Sequence, residues 1–127
     1  MANVQILTNN PLAVNKYADI CEFFDEPPEG VLSAARDRVH LGAKLMHRSL
    51  SGGATHSGSP YKSLVIVATT GVVDFASLRL IEGATFKGRG RLRGGRTYPG
   101  TALDDFQLID LDLLDSAIAA LPPDCCL

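Results

Sequence analysis

Cationic side chains recur at helical spacing in one part of this chain. Arg36, His40 and Lys44 follow one another at intervals of four residues, within a stretch whose apolar residues predict a helix, so they share one arc of that helix. Because this arc borders the apolar face, the three cations could reach into a cleft and hold an anion. The alternative is an ordinary solvated flank, whose cations complement the dipole at a helix C-terminus.

Polar residues also follow the first predicted strand. Thr8, Asn9 and Asn10 precede Pro11, a residue that suits the first position of a helix. Their amide and hydroxyl groups suit a carboxylate or phosphate bound at a helix N-terminus. They suit a simple turn and helix cap equally well, and both interpretations stay open.

A long polar segment, residues 47–63, separates the predicted helix from an apolar run. Connections in compact domains usually take about 4–6 residues, so this segment is either disordered or functional. Ser51 and Gly52 could present backbone amides to an anion, and Lys62 beside Tyr61 could supply the charge.

We expect the cations, one of the two asparagines and part of the polar segment to line one shared cleft. The predicted ligand-binding residues are Thr8, Asn9, Asn10, Arg36, His40, Lys44, Ser51, Gly52, Tyr61 and Lys62.

The spacing of the other polar residues argues against several kinds of site. The Gly-x-x-x-x-Gly-Lys-Ser/Thr pattern of nucleotide-binding P-loops is absent. The three histidines form no close pair of the kind that binds catalytic zinc, and adjacent Cys125 and Cys126 lack the spacing of a structural zinc site. The sequence therefore predicts no metal, no cofactor and no catalytic residue. An unrecognised small enzyme, with His40 as acid or base and Lys62 as an anion clamp, stays an alternative.

Composition indicates one globular domain. The chain has 127 residues, 46% hydrophobic and 20% charged, with a formal net charge of −2, an ordinary balance for a soluble protein. We expect no nucleic-acid binding, which needs a strongly basic surface. The chain shows neither a signal peptide nor the ~20 apolar residues that span a bilayer, so a cytoplasmic protein without membrane association is expected. Residues 1–121 are predicted to form the domain and 122–127 a C-terminal tail.

Strand and helix patterns alternate along the chain. Strands are predicted at residues 4–7, 20–24 and 64–69. The last of these is a continuous apolar run, typical of a central strand buried on both faces. Helices are predicted at residues 12–18, 31–46, 75–85 and 112–121. The alternation predicts a single small three-layer α/β domain, with a three- or four-stranded, mostly parallel sheet flanked by helices.

Capping and loop residues refine this scheme. Asp74 is expected to cap the helix that begins at Phe75. Residues 88–100 contain five glycines and several arginines, and we expect a flexible basic loop there. Leucines and aspartates occur on every side of a helical wheel over residues 106–111, so we expect a short extended piece between two helices.

Five short motifs resemble one known family. In chain order they are Leu7-Thr8-Asn9-Asn10-Pro11-Leu12, Arg36-Asp37-x-x-His40-x-Gly42, Leu50-Ser51-Gly52, Pro60-Tyr61-Lys62-Ser63 and Asp105-Phe106-Gln107-Leu108-Ile109-Asp110-Leu111. The chain resembles the GrdX family in these motifs, in the order in which they occur, and in its own length. It departs from the family in having Arg48-Ser49 where the family has a His-Pro pair, and in the basic character of residues 87–100. The resemblance implies an accessory role around the glycine, sarcosine and betaine reductases, with whose operons the family is associated, and implies no activity.

Three functions are consistent with these observations. The first is a noncatalytic accessory protein that binds another protein of the reductase complex. The second is a small-ligand binding domain for an amino acid, a carboxylate or a phosphate. The third is the enzyme that uses His40. The expected partner is thus a reductase protein or a small anionic ligand, and the oligomeric state is not indicated.

Overall fold

The described strands form one sheet, and the described helices pack on it. The computed structural model describes residues 4–46, 60–68, 73–91 and 100–121. In order, the elements are β1 (Val4–Thr8), α1 (Pro11–Lys16), β2 (Cys21–Phe23), α2 (Pro28–His40), β3 (Lys44–Leu45), β4 (Ser63–Val67), α3 (Phe75–Arg91) and α4 (Gly100–Ala119). No described helix combines the length and apolar character that crossing a lipid bilayer requires. The predicted tail, residues 122–127, lies outside the described residues.

The four strands have the order β2-β1-β4-β3. β1 and β2 are parallel, whereas β4 is antiparallel to both β1 and β3. The predicted α/β class, the flanking helices and the strand number are confirmed, and the sheet is mixed. The parallel pair is the one whose strands are joined through a described helix, α1 between β1 and β2, as a parallel connection requires.

Alternating side chains of the sheet contact helices on opposite faces. Leu7, Leu64 and Ile66 pack with α2 and α3, through core residues such as Val39 and Ile81. The other face carries the remaining core residues of the two central strands and packs with α1 and α4; they are Val4, Ile6, Val65 and Val67. Every residue of β4 is buried, which confirms the predicted central strand and the three-layer architecture.

Helix α2 ends earlier than predicted. The expected helix at residues 31–46 is observed as α2 (Pro28–His40), followed by a turn and β3. Gly42 has φ 106°, and the bonds Gly42 N–H to Val39 O and Ala43 N–H to Arg38 O form the glycine-terminated Schellman end of a helix. The apolar pattern continues past His40 because the following residues enter the sheet.

Helices α3 and α4 are longer than predicted. Asp74 caps α3 as expected, since its Oδ2 accepts from Ser77 N–H at 3.0 Å. The helix then continues to Arg91 and takes in residues 88–91 of the predicted loop. The extended piece predicted near residues 106–111 is wrong, because α4 is continuous there.

The first helix begins as predicted and ends two residues early. Asn10 Oδ1 accepts from Leu12 N–H at 3.1 Å, with Pro11 at the first helical position. The backbone N–H of Tyr17 closes the last turn on Ala13 O, and the expected helix at residues 12–18 is observed as α1 (Pro11–Lys16).

Candidate functional site

Two hydroxyl groups face each other where the β1–β4 ladder ends. Thr8 is the last residue of β1 and pairs directly with Ser63, the first residue of β4. Their Oγ atoms are 2.7 Å apart, and both residues are buried. Thr8 Oγ1 also accepts from Asn10 N–H at 2.9 Å. The turn after β1 is therefore fixed to β4 through side chains.

A buried carboxylate on α4 completes this arrangement. Asp110, 8% exposed, accepts through Oδ2 from Ser63 Oγ at 2.6 Å and from Asn10 Nδ2 at 2.9 Å. Because Ser63 gives its only hydroxyl proton to Asp110, Thr8 must donate to Ser63. The result is a chain of hydrogen bonds from Asn10 N–H through the Thr8 and Ser63 hydroxyls to the Asp110 carboxylate. In such a chain each bond polarises the next.

Burial shifts the pKa of this carboxyl group. Desolvation raises the pKa of Asp110 above its usual range, and it outweighs the opposing effects of the bonds from Ser63 and Asn10 and of the Lys62 charge. The effect of Lys62 shows that its cation lies close enough to Asp110 to interact with it electrostatically.

Asn9 fixes two neighbouring segments to the end of β1. Its Nδ2 donates to Glu26 O and to Pro60 O, each at 2.9 Å, and its Oδ1 accepts from Lys62 N–H at 2.8 Å. The first segment leads into α2 and the second into β4. The side-chain amide thus contacts backbone groups with both its nitrogen and its oxygen.

The last contact of this region joins α4 to the segment before β4. Gln107 Nε2 donates to Tyr61 OH at 2.8 Å, and Gln107 O accepts from Asn10 Nδ2 at 2.9 Å. We call the whole group the polar cluster. Its members are Thr8, Asn9, Asn10, Tyr61, Lys62, Ser63, Gln107 and Asp110.

Two of the cationic residues predicted for the same cleft, Arg36 and His40, form a second group around Glu82. Arg36 Nε is 2.6 Å and His40 Nε2 is 3.4 Å from Glu82 Oε1 on α3, and all three side chains are about half exposed. Lys44 pairs with Val67, whose partner on β1 is Val4. It therefore lies at the opposite end of the β1–β4 ladder from Thr8. The structure thus places Arg36 and His40 apart from the polar cluster and Lys44 in neither group, and ligand binding by these residues stays a prediction.

Two predicted residues, Ser51 and Gly52, lie outside the described residues. Among those described, no three His, Cys, Asp or Glu side chains are arranged to hold a metal ion.

Burial raises the pKa of the Cys21 thiol to about 11, and its Sγ donates to Ala13 O at 3.4 Å. Cys21 is therefore protonated at neutral pH, unlike a cysteine nucleophile.

One family matches the chain over nearly its whole length. The sequence model described as GrdX-like protein covers residues 5–119, from β1 to the last residue of α4. The chain belongs to the GrdX-like protein family. Neither a curated protein nor a solved structure matches it significantly. The matched region of this GrdX-like protein contains the entire polar cluster.

Sequence reasoning missed three members of the polar cluster in this GrdX-like protein. The sequence pattern marks Ser63 only as the end of the polar segment and predicts an extended piece at Gln107 and Asp110. A signal for Asp110 was present, because an aspartate between Ile109 and Leu111 interrupts an apolar run. A charged residue at such a position is either exposed or satisfied by buried partners, and Asn10 and Ser63 are those partners.

Proposed function

We propose that this protein is a noncatalytic accessory protein that acts by binding another protein of a glycine, sarcosine or betaine reductase system. The family match over residues 5–119 carries the association with these systems.

The polar cluster supports a structural role for its side chains. Thr8, Asn9 and Asn10 are buried and contact backbone and side-chain groups of α1, β4 and α4. A small ligand would have to displace these bonds, and breaking a buried bond leaves a polar group unsatisfied. The Asp110 carboxylate beside Lys62 also opposes a second negative charge when it is ionised. These contacts favour protein binding over small-anion binding.

The exposed contact of His40 with Glu82 argues against the catalytic alternative. His40 does contact a carboxylate, as a catalytic histidine would, but both side chains are about half exposed. Exposed pairs of this kind are common on protein surfaces and contribute little energy. Catalytic acids and bases more often lie in a cleft that excludes water.

Direct binding measurements test the proposal. The full-length protein would be immobilised and exposed to each purified protein component of the glycine, sarcosine and betaine reductases, from a bacterium that encodes a GrdX-like protein. We expect saturable binding to at least one component and none to unrelated acidic proteins of similar size. Failure of every component to bind the folded protein would contradict the proposal.

A thermal-shift screen tests the small-anion alternative in parallel. Sulfate, phosphate, acetate and glycine are suitable probes, with Lys62→Met as the variant and the exposed Arg79→Met as its matched control. We expect no stabilisation specific to Lys62. An anion that raises the melting temperature of wild type and Arg79→Met, and not that of Lys62→Met, would support a small-anion site instead.

A further inference from the structure

We infer that the solvent-facing side of α4 binds a protein segment that carries apolar side chains next to lysine or arginine. This inference rests on the proposed function, since it names the surface through which the protein would bind another. We call this surface the α4 face; its residues are Asp104, Asp105, Leu108, Ile109 and Asp112.

Two adjacent apolar side chains form the centre of the α4 face. Leu108 is 58% exposed and Ile109 is 41% exposed. A single exposed leucine is common on a protein surface. Adjacent apolar residues in the middle of a helix, however, offer the kind of contact area that a partner can desolvate.

Aspartates surround this apolar pair. Asp104 and Asp105 lie one helical turn before it and Asp112 one turn after it, and all three are exposed. Residues three or four apart are neighbours on a helix surface. In the described part of the chain, no ion pair involves these three carboxylates. Among the described residues they leave carboxylates without an ion-pair partner one turn before and one turn after Leu108 and Ile109.

The other two aspartates of α4 are already engaged. Asp110 is buried in the polar cluster, and Asp115 accepts from Lys16 Nζ at 2.9 Å and from Tyr17 OH at 2.5 Å. The helix contains no lysine or arginine. The cations near Asp110 and Asp115 are Lys62 and Lys16, which belong to other parts of the chain. The aspartates of the α4 face have no ion-pair partner among the described residues.

The first half of α4 contributes little to the core. The buried residues of this 20-residue helix are Asp110, Leu114 and Ala117, so none lies in residues 100–109. Helices in proteins gain most of their stability from packing one face against the rest of the molecule. A partner that covers Leu108 and Ile109 would provide that packing for the first half.

Charge decides which partner fits. Nucleic acids and anionic membrane surfaces would be repelled by the three carboxylates. A two-fold pairing of α4 with a second copy of itself would place aspartates against aspartates, and such like-charge contacts are unfavourable. A basic segment with apolar side chains satisfies both features of the surface at once.

Synthetic peptides provide the first test. One probe is a fluorescent helical peptide of leucine and lysine, and the other carries glutamate at each lysine position. Binding to the full-length protein would be followed by fluorescence anisotropy at low and high salt. We expect saturable binding of the lysine peptide alone, weakened by salt because its charges are exposed. Absence of saturable binding would overturn the inference.

Variants locate the binding surface. Leu108→Ser and Ile109→Ser should each weaken peptide binding about tenfold, as apolar interface residues do, and Asp105→Asn should reduce the salt dependence. Leu41→Ser and Asp25→Asn are matched controls at exposed positions in other parts of the molecule. Circular dichroism checks that each variant is folded. Equal binding by the α4 and control variants would overturn the inference.

Two further measurements separate this inference from the proposed function. If the reductase component that binds wild type binds Leu108→Ser equally well, the α4 face is excluded while the proposed function stands. If no component binds but the lysine peptide does so through the α4 face, the reductase association fails and the surface stands. Sedimentation of the protein alone tests whether a second copy of the chain covers the α4 face. Self-association that Leu108→Ser abolishes would show that it does, and would overturn the inference.

Discussion

Asp110 is the residue on which the contacts of the polar cluster converge. Its carboxylate joins α4 to Asn10, which caps α1, and to Ser63 at the start of β4. A single buried acceptor thus links three elements that are distant along the chain. Buried polar groups of this kind cost energy to desolvate, and their bonds offset that cost only when every partner is present.

Removal of this acceptor should destabilise the protein. In Asp110→Ala the Ser63 hydroxyl and one Asn10 N–H lose their partner, which should lower the free energy of unfolding by about 1–3 kcal/mol. Asp110→Asn keeps an acceptor oxygen and should lower the free energy of unfolding by less than Asp110→Ala does. Urea denaturation measures the effect, with the exposed Asp112→Ala as a control. Equal losses in Asp110→Ala and Asp112→Ala would show that the observed bonds contribute nothing.

The raised pKa of Asp110 predicts a dependence of stability on pH. Below the unfolded-state pKa of about 3.9 both states are protonated and the contribution is fully present. As the pH rises through the higher folded-state pKa the contribution is lost, because the buried group must then ionise. Wild type should therefore gain stability relative to Asp110→Asn as the pH falls from about 7 to about 4.

Other carboxylates shift in the opposite direction and must be separated from this effect. The pKa values of Asp74, Glu82 and Asp115 are lowered by their hydrogen bonds, so their contributions are lost as the pH falls. They act equally in wild type and in Asp110→Asn, and the difference between the two unfolding curves cancels them. A difference that stays constant across this pH range would contradict the assignment to Asp110.

At the scale of elements, local signals predicted where helices begin better than how far they extend. The Asn10-Pro11 pair and Asp74 marked two helix starts correctly, because a cap depends on residues within one turn. The end of α2 had a signal as well, in Gly42. The continuity of α4 through residues 106–111 had none, because Asp110 faces inward and Leu108 outward only through contacts with other elements.

Two glycines allow a matched test of helix ends. Gly42 has φ 106°, a backbone conformation that costs a residue with a Cβ about 1–2 kcal/mol, so Gly42→Ala should destabilise the protein by that amount. Gly83 lies within α3, and an added Cβ would meet no atom within 4 Å. Gly83→Ala should stabilise by about 0.5–1 kcal/mol. Thermal unfolding measures both, and changes of the same sign would contradict this account of the α2 terminus.

At the scale of the whole molecule, β4 determines the layer order. It lies between β1 and β3 and packs against helices on both faces. Val65 is fully buried, so Val65→Asp should cost several kcal/mol, on the order of 3 or more, because an unpaired charge is expensive to bury. Ala68→Asp, at the exposed position just after the strand, should change little. Equal unfolding midpoints in urea for the two variants would contradict the central placement of β4.

Part of the candidate site could be predicted because the ends of apolar strands can be recognised in the sequence. Asn9, Asn10 and Lys62 were predicted to lie together and do, because they flank the ends of two long apolar strands. The strand partners themselves could not be read from the pattern, since Thr8 and Ser63 are separated by 55 positions. Arg36 was placed with them because helical spacing shows which residues share a face and not which neighbour that face contacts. Its neighbour is Glu82.

The outer strands of the sheet are its shortest, with three residues in β2 and two in β3. An outer strand offers unpaired backbone groups to any extended segment that meets it. Here such a segment would find room for very few hydrogen bonds on either side. The folded sheet is therefore a poor template for fibril growth, although its central strand has the apolar, β-branched sequence Leu64-Val65-Ile66-Val67 that favours aggregation once it is exposed. Among the described residues this segment lies inside the sheet, with β1 along one side and β3 beside Ile66 and Val67 on the other.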